Sequence, residues 1–291
     1  MSHKLEIKKI SLKYENQNTL TNVSTVLESG NIYGLIGRNG AGKTSLLSLI
    51  ASYHLPTSGT IIYDGEALFE HAVHTKDIHF GYDRVYQDEI VEKANKYLES
   101  VHLHRPYFDK AYAAKLIKKF KIDLNKPLSK YSKGTVAAFH VMLGLANRTP
   151  VTIFDEVYLG LDAPTREMFY EELLEEHNRS ERMFILSTHL VSEMEHLFDH
   201  VLILHEGQLI VDEDFETFTS RGVKLIGDEN SVDELTSNKH ILHTESLGRT
   251  KATTLYGGFT EEEWARAKAK DLEVSPTSLQ HLFTHLTKEE A

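Results

Sequence analysis

Polar and apolar residues alternate at the start of the chain. KLEIKKISLKY (Lys4 to Tyr14) has the period of two expected of a strand with one buried face. LTNVSTVLESGNIYGLIG (Leu20 to Gly37) continues as antiparallel strands broken by a turn at Ser29-Gly30-Asn31, and SGTIIYDGEAL predicts a hairpin at Asp64-Gly65. From about residue 88 to residue 148 the spacing becomes helical, in EIVEKANKYLESV, KAYAAKLIKKFKI and GTVAAFHVMLGLANR. VTIFDE and MFILSTHL are short apolar runs of the kind that form strands buried on both faces. VLILHEGQLIV predicts a hairpin through Glu206-Gly207, and DEDFETFTSRG closes this first unit at Gly222. After it the pattern changes to strand, helix, strand, strand, helix, strand and a last helix, TSLQHLFTHLT; the first six elements have the split β-α-β order of ferredoxin-like domains.

The 291 residues divide on this pattern into a unit over 1–222, carrying a helical subdomain at about 88–148, and a smaller α+β unit over 223–291. With 43 acidic against 32 basic side chains and a net charge of -11, the chain is a poor binder of phosphate backbones, so no nucleic-acid partner is expected. The absence of cysteine excludes disulfides and thiolate metal sites. No apolar run reaches the ~20 residues a spanning helix needs, so membrane association is expected through a partner and not by insertion. Two histidine pairs, His71 with His74 and His281 with His285, have helical ligand spacing. No carboxylate pattern along the sequence completes either set, and both are read as solvated surface groups.

Gly37-Arg38-Asn39-Gly40-Ala41-Gly42-Lys43-Thr44 matches G-x-x-x-x-G-K-[ST] in full, between an apolar strand and the helix TSLLSLI, which begins with Thr44 and Ser45. Glycines let the backbone approach anionic oxygens, and helix-start amides point at them. Lys43 is then a charge for the β and γ phosphates, and the Thr44 hydroxyl a ligand for Mg²⁺. VTIFDE ends in Asp155, placed to hold Mg²⁺ through water, and Glu156, placed to orient or deprotonate the attacking water. MFILSTHL ends in Ser187-Thr188-His189, where His189 is expected to contact the γ-phosphate and hold Glu156 in line.

The ordered series of phosphate loop, YSKGT, DE strand, GLD and STH resembles the nucleotide-binding subunit of ATP-binding cassette (ABC) transporters, over roughly Lys4 to Ser220. The resemblance implies an α/β P-loop NTPase core with an antiparallel β subdomain and a helical arm. It implies ATP and Mg²⁺ as cofactors, ATP hydrolysis as the activity, and Tyr14 as the aromatic that stacks on adenine. YSKGT, with Ser132, Lys133 and Gly134, stands where the family has LSGGQ, and is similar to the SKG-containing signature of bacterial exporters of antimicrobial peptides and of those answering envelope stress. Asp162 falls in the loop that crosses the dimer interface. Asp83 aligns with the glutamine that senses metal and membrane partner and is expected, as a hard oxygen donor, to serve as a further Mg²⁺ ligand beside Thr44 and Asp155; Gln87 follows four residues later.

Together these imply a head-to-tail homodimer or heterodimer at the cytoplasmic face of the membrane, docked on separate transmembrane permease subunits and driving export of a peptide or amphipathic compound. The 223–291 unit is expected to serve dimerisation or regulation. The competing reading is a soluble regulatory ATP switch without cargo.

Overall fold

The computed structural model describes residues 2–15, 17–82 and 92–288. Strands β1 (Lys4–Tyr14) and β2 (Gln17–Glu28) pair antiparallel, Leu5 opposite Leu27 and Leu12 opposite Leu20. Leu5, Ile7, Ile10 and Leu12 are buried; between them Lys8 and Lys9 are exposed and Glu6 and Ser11 half-buried. The expectation that the next segment continues this antiparallel run is corrected: β3 (Ile32–Ile36) leaves the sheet and lies parallel to two later strands. All five of its residues are buried, the signature of a strand covered on both faces.

Helix α1 (Lys43–Ile50) follows, and β4 (Ser58–Tyr63) and β5 (Glu66–Ala67) return to the first sheet, whose order is β2-β1-β4-β5. They are joined through Asp64 (φ 49°) and Gly65 (φ 90°), the positive-φ pair that a tight hairpin requires. β6 (Ile78–Tyr82) precedes the helical arm of α2 (Ala94–His104), α3 (Lys110–Lys119) and α4 (Lys133–Ala146). Asp83 and Gln87 lie outside the described residues.

Next come β7 (Val151–Asp155), α5 (Ala163–Arg179), β8 (Met183–Thr188), α6 (Val191–Met194), β9 (His200–His205) and β10 (Gln208–Asp214). They complete a six-stranded sheet of order β10-β9-β3-β8-β7-β6, parallel except for β10. Alternate residues feed two cores. Tyr33, Leu35, Ile153 and Ile185 pack with Leu46, Leu47 and Ile50 of α1 and with the first sheet. Ile36, Phe154, Phe184 and Leu186 pack with Phe139 and Met142 of α4 and Phe169 and Leu173 of α5.

After α7 (Phe215–Ser220) come β11 (Gly222–Asp228), α8 (Glu229–Thr236), β12 (His240–Leu247), β13 (Thr250–Tyr256), α9 (Glu261–Ala269) and β14 (Glu273–Pro276). The sheet order β12-β13-β11-β14 is antiparallel throughout, so each strand pair joined by a helix is split by one strand, as in ferredoxin-like folds. α8 and α9 bury Val232, Leu235 and Ala267 against Val223, Leu225 and Leu255. The last helix, α10 (Leu279–Leu286), does not join this small core. It buries Leu279, Leu282 and Phe283 with Val191 and Met194 of α6.

His79 on β6 is buried, 2.8 Å from Asn147 Nδ2 through its Nδ1. Burial, helped by the charges of Arg105 and Arg182, pushes its pKa down to about 3. Its unfolded value is about 6.5, so between these limits the unfolded chain binds a proton that the fold refuses. Stability is therefore full above about pH 6.5 and falls by up to about 1.4 kcal/mol per pH unit as pH drops toward 3. Denaturant melts across this range should show a shallower acid slope in His79→Gln; an unchanged slope would remove His79 from the account.

Candidate nucleotide site

The site is built from three adjacent parallel strands that end at one edge. Ile36 of β3 lies beside Thr188 of β8, and Ser187 of β8 beside Asp155 of β7. The loops leaving these strands carry the phosphate loop, Glu156 and His189. Open α/β sheets bind ligands beyond such carboxyl ends.

In the phosphate loop, Gly40 (φ 84°) and Gly42 (φ 104°) hold left-handed conformations. A Cβ on Gly37 would come within 2.6 Å of the Leu204 carbonyl oxygen, and one on Gly42 within 2.9 Å of the Thr19 carbonyl oxygen, so neither position admits a side chain. The turn between β9 and β10 clasps this loop: Gly207 N–H donates to the Ala41 carbonyl (3.1 Å), and the Gly207 carbonyl accepts from Thr21 N–H (2.9 Å). α1 starts at Lys43 with no side chain capping its N-terminus, which leaves its first amides and the positive end of its dipole for an anion. Arg38, Asn39 and Gly40 are exposed at the tip, with Ala41, Thr44 and Ser45 along the turn into the helix.

Lys43 is only 7% exposed, and its ammonium donates to the Gly37 carbonyl at 2.8 Å and lies 3.5 Å from Glu156 Oε1. The same Glu156 oxygen is 3.1 Å from His189 Nδ1. Glu156 itself has φ 56°, a left-handed conformation unfavourable for a side chain by about 1–2 kcal/mol, and strain of this kind gathers where function demands a fixed direction. Asp155 is buried, and burial raises its pKa against hydrogen bonds from the Ser187 and Thr44 hydroxyls, which favour the carboxylate. The Ser187 contact is 2.5 Å long. Hard oxygens from Thr44 and Asp155 on one spot beside the phosphate loop suit Mg²⁺.

Two supports escaped the sequence reading. Tyr158, fully buried, donates its hydroxyl to the Ser187 carbonyl at 2.7 Å, tying the turn after Glu156 to β8. Thr188 Oγ1 accepts from Leu190 N–H at 2.9 Å and shapes the turn that carries His189. Ser187 was visible in the sequence only as a strand residue, because its partner Asp155 is supplied by the neighbouring strand.

The remaining expected residues are spread over other surfaces. Tyr14 stands at the end of β1, 46% exposed. Ser132 caps α4 by accepting from Thr135 N–H, which leaves the amides of Lys133 and Gly134 at an exposed helix start. Asp162 caps α5 in the same way through Thr165 N–H (3.0 Å), contacts that hold its carboxyl below the usual range.

Residues 20–158 match the ABC transporter family model. Over 214 residues the chain is 32% identical to AlbC of Bacillus subtilis (strain 168), named as an ABC transporter ATP-binding protein, across 70% of this chain and 89% of AlbC. The lantibiotic transport ATP-binding protein SrtF of Streptococcus pyogenes is 26% identical over 223 residues, 73% of this chain and 91% of SrtF. Among solved structures, the dimeric ATP-binding cassette MJ0796 in a post-hydrolysis state bound to ADP and Pi shares the fold, with TM-score 0.63 and 19% identity over 72% of this chain and 98% of that one. On its glycine-built phosphate loop, its carboxylate pair and these likenesses, the chain belongs to the ABC transporter family, as one of its ATP-binding, ATP-hydrolysing subunits.

Proposed function

We propose that this chain is the motor of an exporter, binding ATP–Mg²⁺ between two head-to-tail cassettes and driving a peptide or amphipathic compound through separate transmembrane subunits. The observation that carries the catalytic part is the placement of Glu156 between Lys43 and His189, one residue beyond Asp155. The Lys43 ammonium donates to the Gly37 carbonyl and lies beside Glu156, at the edge where the phosphates would sit. Phosphate oxygens of a bound nucleotide would take over the Lys43 ammonium, leaving Glu156 with His189, which it already contacts, and free to hold a water in line with the γ-phosphorus. Glu156 orients that water and accepts its proton; His189 holds the carboxylate and donates to the transferred phosphoryl oxygen. Thr44 and Asp155 would hold Mg²⁺, which when bound neutralises charge on the phosphates.

The second half of each site is the start of α4 in the partner protomer. Its free amides, the Ser132 hydroxyl and the Lys133 ammonium offer donors to a γ-phosphate that ADP lacks, so ATP and not ADP favours the closed dimer. Tyr14 stacks on adenine in this reading, and Asp162 lies at the dimer seam. Among the described residues no helix is long and apolar enough to cross a membrane, which fits a peripheral subunit at the cytoplasmic face.

The likeness to a lantibiotic transport protein supports a peptide cargo. In proteoliposomes holding the chain with its permease, cationic amphipathic peptides should raise ATP turnover several-fold while sugars and polyamines leave it unchanged. Stimulation by the small polar solutes alone would overturn the export reading.

The 223–291 unit is proposed as regulatory. Its helix α10 packs on the segment after His189, and Arg38 Nε in the phosphate loop donates to Thr287 Oγ1 at 3.3 Å. Thr287→Val should change the ATP concentration at half-maximal turnover; an unchanged value would leave α10 a packing element only.

A further inference from the structure

We propose that Glu66, His71 and His74 form a divalent-cation site, with Zn²⁺ as its ion, separate from the nucleotide site. The sequence shows the two histidines and hides the third ligand. Because the chain reverses at Asp64-Gly65 and β5 pairs back on Ile62 and Tyr63, the Glu66 carboxylate is returned over the turn that carries His71 and His74. Glu66 Oε2 lies 3.1 Å from His71 Nε2 and 3.0 Å from His74 Nε2. All three donor atoms fall within 4.8 Å of one another, and the two rings stack at 4.1 Å. Four ligands at about 2.0–2.2 Å around a tetrahedral ion stand about 3.3 Å apart, so small shifts, chiefly of the exposed Glu66 side chain, admit the metal between it and the half-buried histidines.

The surroundings of His74 strengthen the assignment. Its Nδ1 is buried without a hydrogen-bond partner, and Asp77 Oδ2 lies 3.7 Å away. Asp77 is itself buried and accepts a hydrogen bond from the Tyr107 hydroxyl at 2.8 Å. A metal on Nε2 places the imidazole proton on Nδ1, aimed at Asp77, which is how carboxylates orient metal-bound histidines. The Tyr63 ring, 5.1 Å from the His74 ring, walls the inner side. His71 must give something up: its Nδ1 accepts from the His74 backbone N–H at 3.1 Å, which keeps the proton on Nε2. Coordination through Nε2 requires the tautomer with its proton on Nδ1, where it meets the His74 N–H and opens that contact.

Two imidazoles and one carboxylate form a borderline donor set that selects Zn²⁺ over Mg²⁺ and Ca²⁺, which require oxygen ligands. Glu66 is 63% exposed, so the fourth position faces water. An ion here would staple the β4–β5 hairpin to the turn before β6, whose last residue, Tyr82, pairs with Asp155.

The test uses the full chain without a histidine tag, stripped with a chelator, then titrated with Zn²⁺ against a chromogenic competitor and with Co²⁺ for its visible spectrum. One Zn²⁺ per chain is expected, with intense tetrahedral Co²⁺ bands and no competition from millimolar Mg²⁺. Affinity should fall at least tenfold in His74→Ala and in the conservative Glu66→Gln, and about tenfold in Asp77→Asn, while a His281→Ala/His285→Ala double variant binds as before. Equal uptake by wild type and by His71→Ala/His74→Ala would show an adventitious ion on other histidines and overturn the proposal. So would the absence of stoichiometric binding.

Discussion

Glu156→Gln lowers ATP turnover by about 10²–10⁴-fold and leaves ATP bound. The substitution keeps the length and the left-handed backbone of the turn, and it keeps an oxygen for His189 at the 3.1 Å contact. What it removes is the carboxylate that, in the mechanism we propose, accepts the proton of the attacking water. It also removes the negative charge 3.5 Å from the Lys43 ammonium, so that ammonium is freed for phosphate and ATP affinity is held or increased. Phosphate release under saturating ATP, beside equilibrium binding of a fluorescent ATP analogue, separates the two effects. Normal release in this variant would remove Glu156 from the chemistry.

The second large effect is the converse. Lys43→Met keeps an unbranched apolar stem where the lysine is 7% exposed but deletes the charge that faces the phosphates. Hydrogen bonds to charged groups contribute about 1.5–3 kcal/mol, so nucleotide affinity should fall by about 10–100-fold and turnover with it. Raising ATP should rescue only part of the rate if, as we propose, the lysine also meets charge developing in transfer. Full rescue at high ATP would limit Lys43 to ground-state binding.

That Lys43, Asp155, Glu156 and His189 gather at one sheet edge was legible because each sits in a local motif. A phosphate loop needs glycines, lysine and threonine at fixed spacing within one turn, and Asp155, Glu156 and His189 stand at or just past the ends of apolar runs of strand length. The ferredoxin-like unit was legible for a similar reason, since its six short elements follow in the order strand, helix, strand, strand, helix, strand, each signalled within its own segment. What stayed hidden depends on partners far apart in the chain. Ser187 holds Asp155 across a strand boundary, and Arg38 meets Thr287 from the opposite end of the molecule. β3 read as one more antiparallel strand because periodicity says nothing of its partners; its burial on both faces is what placed it in the parallel sheet. The pair His71 and His74 looked incomplete because hairpin geometry, and not spacing, supplies Glu66.

A motor subunit and a free regulatory ATPase share every residue of this site, so the partner decides between them. The measurement is a mild-detergent pull-down of the tagged chain from its native membranes, with mass spectrometry of what accompanies it. A motor subunit brings with it a stoichiometric partner with several membrane-spanning segments. Recovery of the chain alone from the soluble fraction, with no integral membrane partner, would contradict that reading.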